Sequence, residues 1–249
     1  MSGHSKWATI KHKKAATDAK RGRTFTRLIK EIAIAARSGA DADINPRLRT
    51  AVTAAKAASM PADNIKRAIL RGSGQLPGVT IEEMTLEGYG PGGVAVLVEL
   101  ATDNRNRTIS EIRHLFGKHG GNLGENGCVS WKFAKRSLIV VPKLSATEDH
   151  LMEIALSAGA DDLRDEGENW SVVSAPDAHE TVLAALKESK ITPTLSEVTM
   201  IPQSQVRVEG KLAQSMLRMH EALEEHDDVQ YVYANFDIEE KELEVLAQH

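Results

Sequence analysis

The spacing of apolar residues changes once along this chain, and that change limits the fold more than any other feature. Over residues 24–71 apolar side chains recur every three or four positions, whereas from residue 79 onward they come in short β-rich runs separated by turn residues and further helical stretches. Helices followed by mixed strands and helices predict an α+β protein.

Phe25, Leu28, Ile29, Ile32 and Ala36 stripe one side of a helix predicted over residues 24–37, with Gly39 as its stop. A second helix opens with Asn45 as N-cap and Pro46 at its first position, and keeps Leu48, Val52 and Ala55 inward until Pro61. A third, over residues 61–71, has Asp63 in its first turn, Ile65 and Ile69 inward, and Gly72-Ser73-Gly74 at its end. Together they predict a three-helix bundle.

Beyond it, residues 79–86 and 94–101 read as strands on either side of EGYGPGG. Thr108-Ile-Ser-Glu111 has the form of a capping box opening a helix that carries Ile109, Ile112, Leu115 and Phe116, and residues 129–133 read as a short strand. This β-β-α-β unit lacks a second helix. Next come a strand at 138–141, a helix at 147–157, a weak strand at 161–164, a strand at 170–174, a helix at 178–188 and a strand at 195–200, the βαββαβ order of a ferredoxin-like layer. A last helix at 211–224 and strand at 229–236 supply what the middle unit lacks. The expected organisation is therefore a helical domain over 1–75, a discontinuous α+β domain over 76–135 and 205–249, and an inserted ferredoxin-like acidic domain over 136–204.

Charge is partitioned along the same lines. The formal net charge is −4, yet residues 1–30 hold nine Lys or Arg against one acid, and residues 1–75 hold 16 against 5. Residues 76–140 balance at seven each, and residues 141–249 carry 8 basic and 23 acidic side chains. A basic end on an acidic chain points to a polyanionic partner, because steering follows the local field rather than the net charge; a solvated helical surface is the alternative.

Other function classes find little support. The single cysteine, Cys128, excludes an intramolecular disulfide and any Cys-rich metal site, and fits a reducing, cytoplasmic setting. No apolar run approaches the roughly 18 residues of a membrane span, and the start lacks the apolar stretch of a secretory signal. None of the nine histidines forms HExxH, and His114 and His119 stand five apart. The acidic pairs Asp161-Asp162, Asp165-Glu166 and Asp227-Asp228 read as solvated surface, and no nucleophile, base and orienter come together. No enzyme, metal or cofactor is expected. GYGPGG is followed by a strand and by no Lys-Ser/Thr, so it reads as a tight turn rather than a phosphate cradle.

The candidate nucleic-acid contacts are Lys6, Trp7, Lys11, His12, Lys13, Lys14, Lys20, Arg21 and Arg23 in the opening stretch, Lys66 and Arg67 on the third helix, and Arg105 and Arg107 in TDNRNRT. The cations can neutralise phosphates. Trp7 can either stack on a base or sugar or pack against the bundle, and the sequence leaves both open.

The stretches GHSKWATIKHKKAATDAKR, NPRLRTAV, MPADNIKRAILRGSG, EGYGPGGVAVLVE, TDNRNRT and EALEEHDDVQYVYANFDI resemble, in order, the signatures of the YebC/PmpR family, whose mitochondrial members are described as translational activators. The likeness runs from the start to about residue 238 and departs locally at Ala40, Ala42 and Thr85-Leu86. It implies three α+β domains, a helical one and two ferredoxin-like layers, and a retained rather than cleaved start. It also implies a cytoplasmic, non-enzymatic regulator binding DNA, or else a ribosome-associated factor binding ribosomal RNA that relieves stalling at difficult stretches such as consecutive prolines. No helix-turn-helix, aromatic RNA-binding signature or zinc finger stands in the sequence. A protein-only adaptor, using the acidic C-terminal half against a basic partner, is the third reading.

Overall fold

The computed structural model describes residues 18–247. Helix α1 is Asp18–Ala35, continued by a 3-10 turn at Ala36–Ser38, and is followed by α2 (Pro46–Ala57) and α3 (Ala62–Gly72). Strands β1 (Glu82–Tyr89) and β2 (Ala95–Thr102), helix α4 (Arg105–Lys118) and the two-residue strand β3 (Asn122–Leu123) come next. Then follow β4 (Phe133–Pro142), α5 (Glu148–Ser157), β5 (Ala160–Asp165), β6 (Asn169–Ser174), α6 (His179–Glu188), β7 (Leu195–Pro202) and β8 (Val206–Arg207). The chain ends with α7 (Gly210–Glu224), β9 (Val229–Ala234), β10 (Phe236–Asp237) and α8 (Glu240–Ala247). The fold is α+β. None of these helices is long and apolar enough to cross a membrane.

The described residues form two compact units, one of 18–129 with 210–232, the other of 130–209 with 233–247. In the first, α1–α3 bury Ile32, Leu48, Ala51, Ala55, Met60 and Ile65 as one core. Asn45 does two jobs there: its side-chain oxygen accepts the Leu48 N–H at 3.1 Å, and its amide donates to the carbonyls of Ala35 and Gly39, both at 2.8 Å. It thereby caps α2 and satisfies the end of α1. A Cβ on Gly72 would lie 2.1 Å from the Ala33 carbonyl oxygen, so the α1–α3 approach depends on that glycine. The same unit holds a sheet in the order β3-β1-β2-β9, with β1 antiparallel to both β2 and β3.

The second unit has the order β5-β6-β4-β7, all neighbours antiparallel, with α5 and α6 closing a core of Ile139, Val141, Leu151, Val172, Val182 and Leu186. Chain order and sheet order together are ferredoxin-like. A short parallel ladder joins β8 to β10.

Three expectations are corrected. The strand expected at 79–86 begins at Glu82 and runs to Tyr89. The strands expected at 129–133 and 138–141 are instead a 3-10 turn at Ser130–Lys132 and one ten-residue strand, β4. Lys135 and Arg136 interrupt its apolar run but are exposed, and the register with β7 continues past them. The first sheet's third strand is therefore β3. Finally, the capping box at Thr108 does not form: Asn104 is the N-cap of α4, accepting the Arg107 N–H at 3.1 Å, and Thr108 lies a turn inside, fully buried.

Candidate nucleic-acid interface

Spacing puts Arg23, Arg27 and Lys30 on one side of α1. That side meets the end of α7 and the link to β9, residues 224–228. Arg23 Nη2 lies 3.3 Å from Glu225 Oε1. Arg27 donates to the carbonyl of Glu224, in the last turn of α7, where carbonyls lack helical partners. Lys30 Nζ donates to the Asp227 carbonyl at 2.8 Å and to Asp228 Oδ1 at 2.6 Å. Arg37, just after α1, donates to the Ile81 carbonyl, and Arg47 of α2 bridges Glu31 (2.8 Å) and Glu83 (2.5 Å). The hydrogen bonds to Glu83 and Glu31 raise the Arg47 pKa against the effect of burial.

Asp228 is the hub of this network and is only 4% exposed. Its Oδ2 accepts from Thr108 Oγ1 at 2.6 Å, Arg107 Nη2 at 2.8 Å and Thr102 Oγ1 at 3.1 Å. Burial works to raise its pKa, but the hydrogen bonds from Lys30, Thr108 and Arg107 outweigh it and hold the carboxyl well below the ordinary range. Asp228 is thus no solvated surface acid, which corrects the reading of the Asp227-Asp228 pair. Next to it, His226 Nδ1 accepts the Asp228 N–H at 3.1 Å and Nε2 donates to Glu111 Oε2 at 2.9 Å, which fixes the tautomer. One ligand atom each of Glu111, His226 and Asp228 lies within 4.8 Å of the others, a spacing a cation would accept. Lys30 and Arg107 already supply the positive charge there, so the cluster is complete as an ion-pair network.

Four cations of α2 and α3 stand differently. Lys56, Lys66, Arg67 and Arg71 are exposed, and none has an acidic partner among the described residues. Arg67 donates only to Asn64 Oδ1 (2.8 Å) and the Asp63 carbonyl (3.3 Å), and Arg71 runs its stem past Gly78. Of the other expected contacts, Lys6, Trp7, Lys11, His12, Lys13 and Lys14 lie outside the described residues, and Lys20 and Arg21 fall on the first turn of α1. Arg105 is exposed at the start of α4, whereas Arg107 is held between Asp103 (3.0 Å) and Asp228. The sequence reading named Lys66 and Arg67 but passed over Lys56 and Arg71 as contacts. Their i, i+4 and neighbouring-helix spacing was the available signal.

The glycine motif has a packing explanation. The Gly90 N–H donates to the Val94 carbonyl at 2.8 Å and the Gly93 N–H to the Gly90 carbonyl at 3.1 Å, so both amides are already satisfied. A methyl group on Gly90 would lie 2.7 Å from Met216 Sδ and 2.8 Å from Met219 Cε of α7. Glu87, at the head of the motif, is buried and accepts the N–H groups of Gly127 and Val129, both at 2.8 Å. These residues fasten a loop and a helix to the sheet, and the Gly90 and Gly93 amides are taken up within the turn.

Sequence and structure comparisons agree. Residues 5–75 match the TACO1/YebC protein N-terminal domain and residues 81–236 the TACO1/YebC second and third domain. Two relatives named "Probable transcriptional regulatory protein", from Koribacter versatilis and Solibacter usitatus, are 62% and 64% identical over 99% and 100% of this chain and the whole of their own. The crystal structure of a conserved hypothetical protein from Aquifex aeolicus superposes with a TM-score of 0.77 at 46% identity, covering 90% of this chain and 93% of that one. With both domain descriptions matched in order across the helical bundle and the two sheets, this chain belongs to the TACO1/YebC family.

Proposed function

We propose that the protein is a non-catalytic, cytoplasmic regulator of gene expression that binds nucleic acid through its basic helical domain, the DNA-binding transcriptional role being the first reading. The observation that supports it is the exposed set Lys56, Lys66, Arg67 and Arg71, four cations with no acidic partner among the described residues, in a bundle whose Arg23, Lys30 and Arg47 are held by carboxylates. Such side chains are free to replace the counterions of a phosphate backbone. The names of the Koribacter and Solibacter relatives favour a regulator.

Ribosomal RNA is the second reading. The outward cations of α3 suit phosphate contact, which positions a protein without reading sequence, and so they fit structured RNA as well as duplex DNA. Crosslinking in cells followed by sequencing of the bound nucleic acid tests both. Enrichment of promoter DNA supports transcription, and enrichment of ribosomal RNA supports translation. Recovery of neither, with binding to a basic protein indifferent to added nucleic acid, would favour the adaptor instead.

A further inference from the structure

The outer side of α4 is a second cationic surface. Asn106, Ser110, Arg113, His114, Gly117 and Lys118 fall away from the buried Thr108, Ile112 and Phe116, and all six are exposed. The acid on this helix, Glu111, is turned to His226 at 2.9 Å. Arg113 and Lys118 form no ion pair among the described residues. Neither does Arg218, exposed on α7, although Glu221 follows three residues later. Helices α4 and α7 pack against each other, and burial, then the charges of Lys118 and Arg218, push the pKa of His119, the residue after α4, down.

Gly117 is an independent observation at the same place. It lies inside α4 without a left-handed backbone, and a Cβ built on it would meet nothing within 4 Å. Neither conformation nor internal packing requires glycine there, and glycine weakens a helix relative to alanine. What the missing side chain leaves open is the surface between Arg113 and Lys118, where another backbone can come close.

We propose that this side of α4, with Arg113, His114, Gly117 and Lys118, and with Arg218 of α7, is a second contact for the sugar-phosphate backbone of nucleic acid. Arg113, Lys118 and Arg218 neutralise phosphates, and Gly117 lets the strand lie against the helix within reach of Ser110 and Asn106. The surface extends the footprint of the helical domain and reads no bases. It rests on the nucleic-acid reading above.

The experiment titrates the full-length chain against a labelled RNA hairpin and a labelled DNA duplex at several salt concentrations, for wild type, Arg113→Ala/Lys118→Ala, Gly117→Ala and Lys66→Ala/Arg67→Ala. The α4 double variant should lower the log-log salt slope by about 1.4 to 1.8 on whichever probe the wild type prefers. Gly117→Ala should weaken binding several-fold while leaving Tm unchanged or raising it by up to about 2–4 °C, a combination that loss of fold does not produce. If the bundle variant loses slope while the α4 double variant and Gly117→Ala both bind as wild type, the second contact is wrong and the helical-domain reading stands. If the wild type binds neither probe, both fall.

Discussion

Helices α1 and α3 both carry cations at helical spacing, and they use them in opposite ways. On α1, Arg23, Arg27 and Lys30 engage Glu225, the Glu224 carbonyl and Asp228, so their charge closes contacts inside the protein. On α3, Lys66, Arg67 and Arg71 are exposed and have no acidic partner among the described residues. A count of basic residues treats the two helices alike, and the three-dimensional pairing separates them. Charge available to a phosphate is what remains after internal ion pairs are closed.

The largest expected effect breaks the α1 side of this comparison. Asp228→Asn leaves Lys30 and Arg107 facing a neutral group and should cost roughly 3 kcal/mol, toward the low end for a broken buried pair because both cations reach solvent. Urea unfolding of the variant checks it. The pKa of Asp228 is lowered in the fold, so its contribution is fully present above the ordinary carboxyl range near pH 4 and is lost as pH falls below that range. The stability gap between wild type and Asp228→Asn should therefore be constant from about pH 5 to 7 and narrow below about pH 4.

A smaller effect tests whether both sets of cations are held by one rigid bundle. Gly72→Ala drives a methyl group against the Ala33 backbone oxygen, which cannot swing aside like a side chain, and should cost about 1–3 kcal/mol. Loss of Tm without loss of the far-UV helical signal would be the readout of bundle repacking. The smallest belongs to Arg23→Ala. Its bridge to Glu225 is open to water on both sides, so unfolding should shift by at most about 1 kcal/mol and the salt slope of binding should not change.

Local chemistry made much of the fold legible, and long-range chemistry hid the rest. Asn45 and Pro46 announce α2 because a cap and a first-turn proline act within one turn. The capping box at Thr108 misled for the opposite reason: its hydroxyl belongs to Asp228, 120 residues away. The break inside β4 was imagined at Lys135-Arg136, where exposed polar residues interrupt apolar ones without interrupting the ladder. The site divides similarly. Lys66 and Arg67 could be named from sequence because exposure on a helix follows from period, whereas the neutralisation of Lys30 by Asp228, 198 residues on, has no local signature. Asp227-Asp228 looked like a solvated pair, and only the fold shows one of them buried.

The comparison between α1 and α3 is tested most directly by the salt dependence of nucleic-acid binding for two variants measured side by side, Lys66→Ala/Arg67→Ala/Arg71→Ala and Lys30→Ala. The account predicts that the α3 triple variant keeps its Tm and loses about 2 to 3 units of log-log slope, while Lys30→Ala loses Tm and keeps its slope. An unchanged slope in the triple variant, or an equal loss of slope in both, would contradict the claim that the unpaired cations of α3 are the ones that meet phosphate.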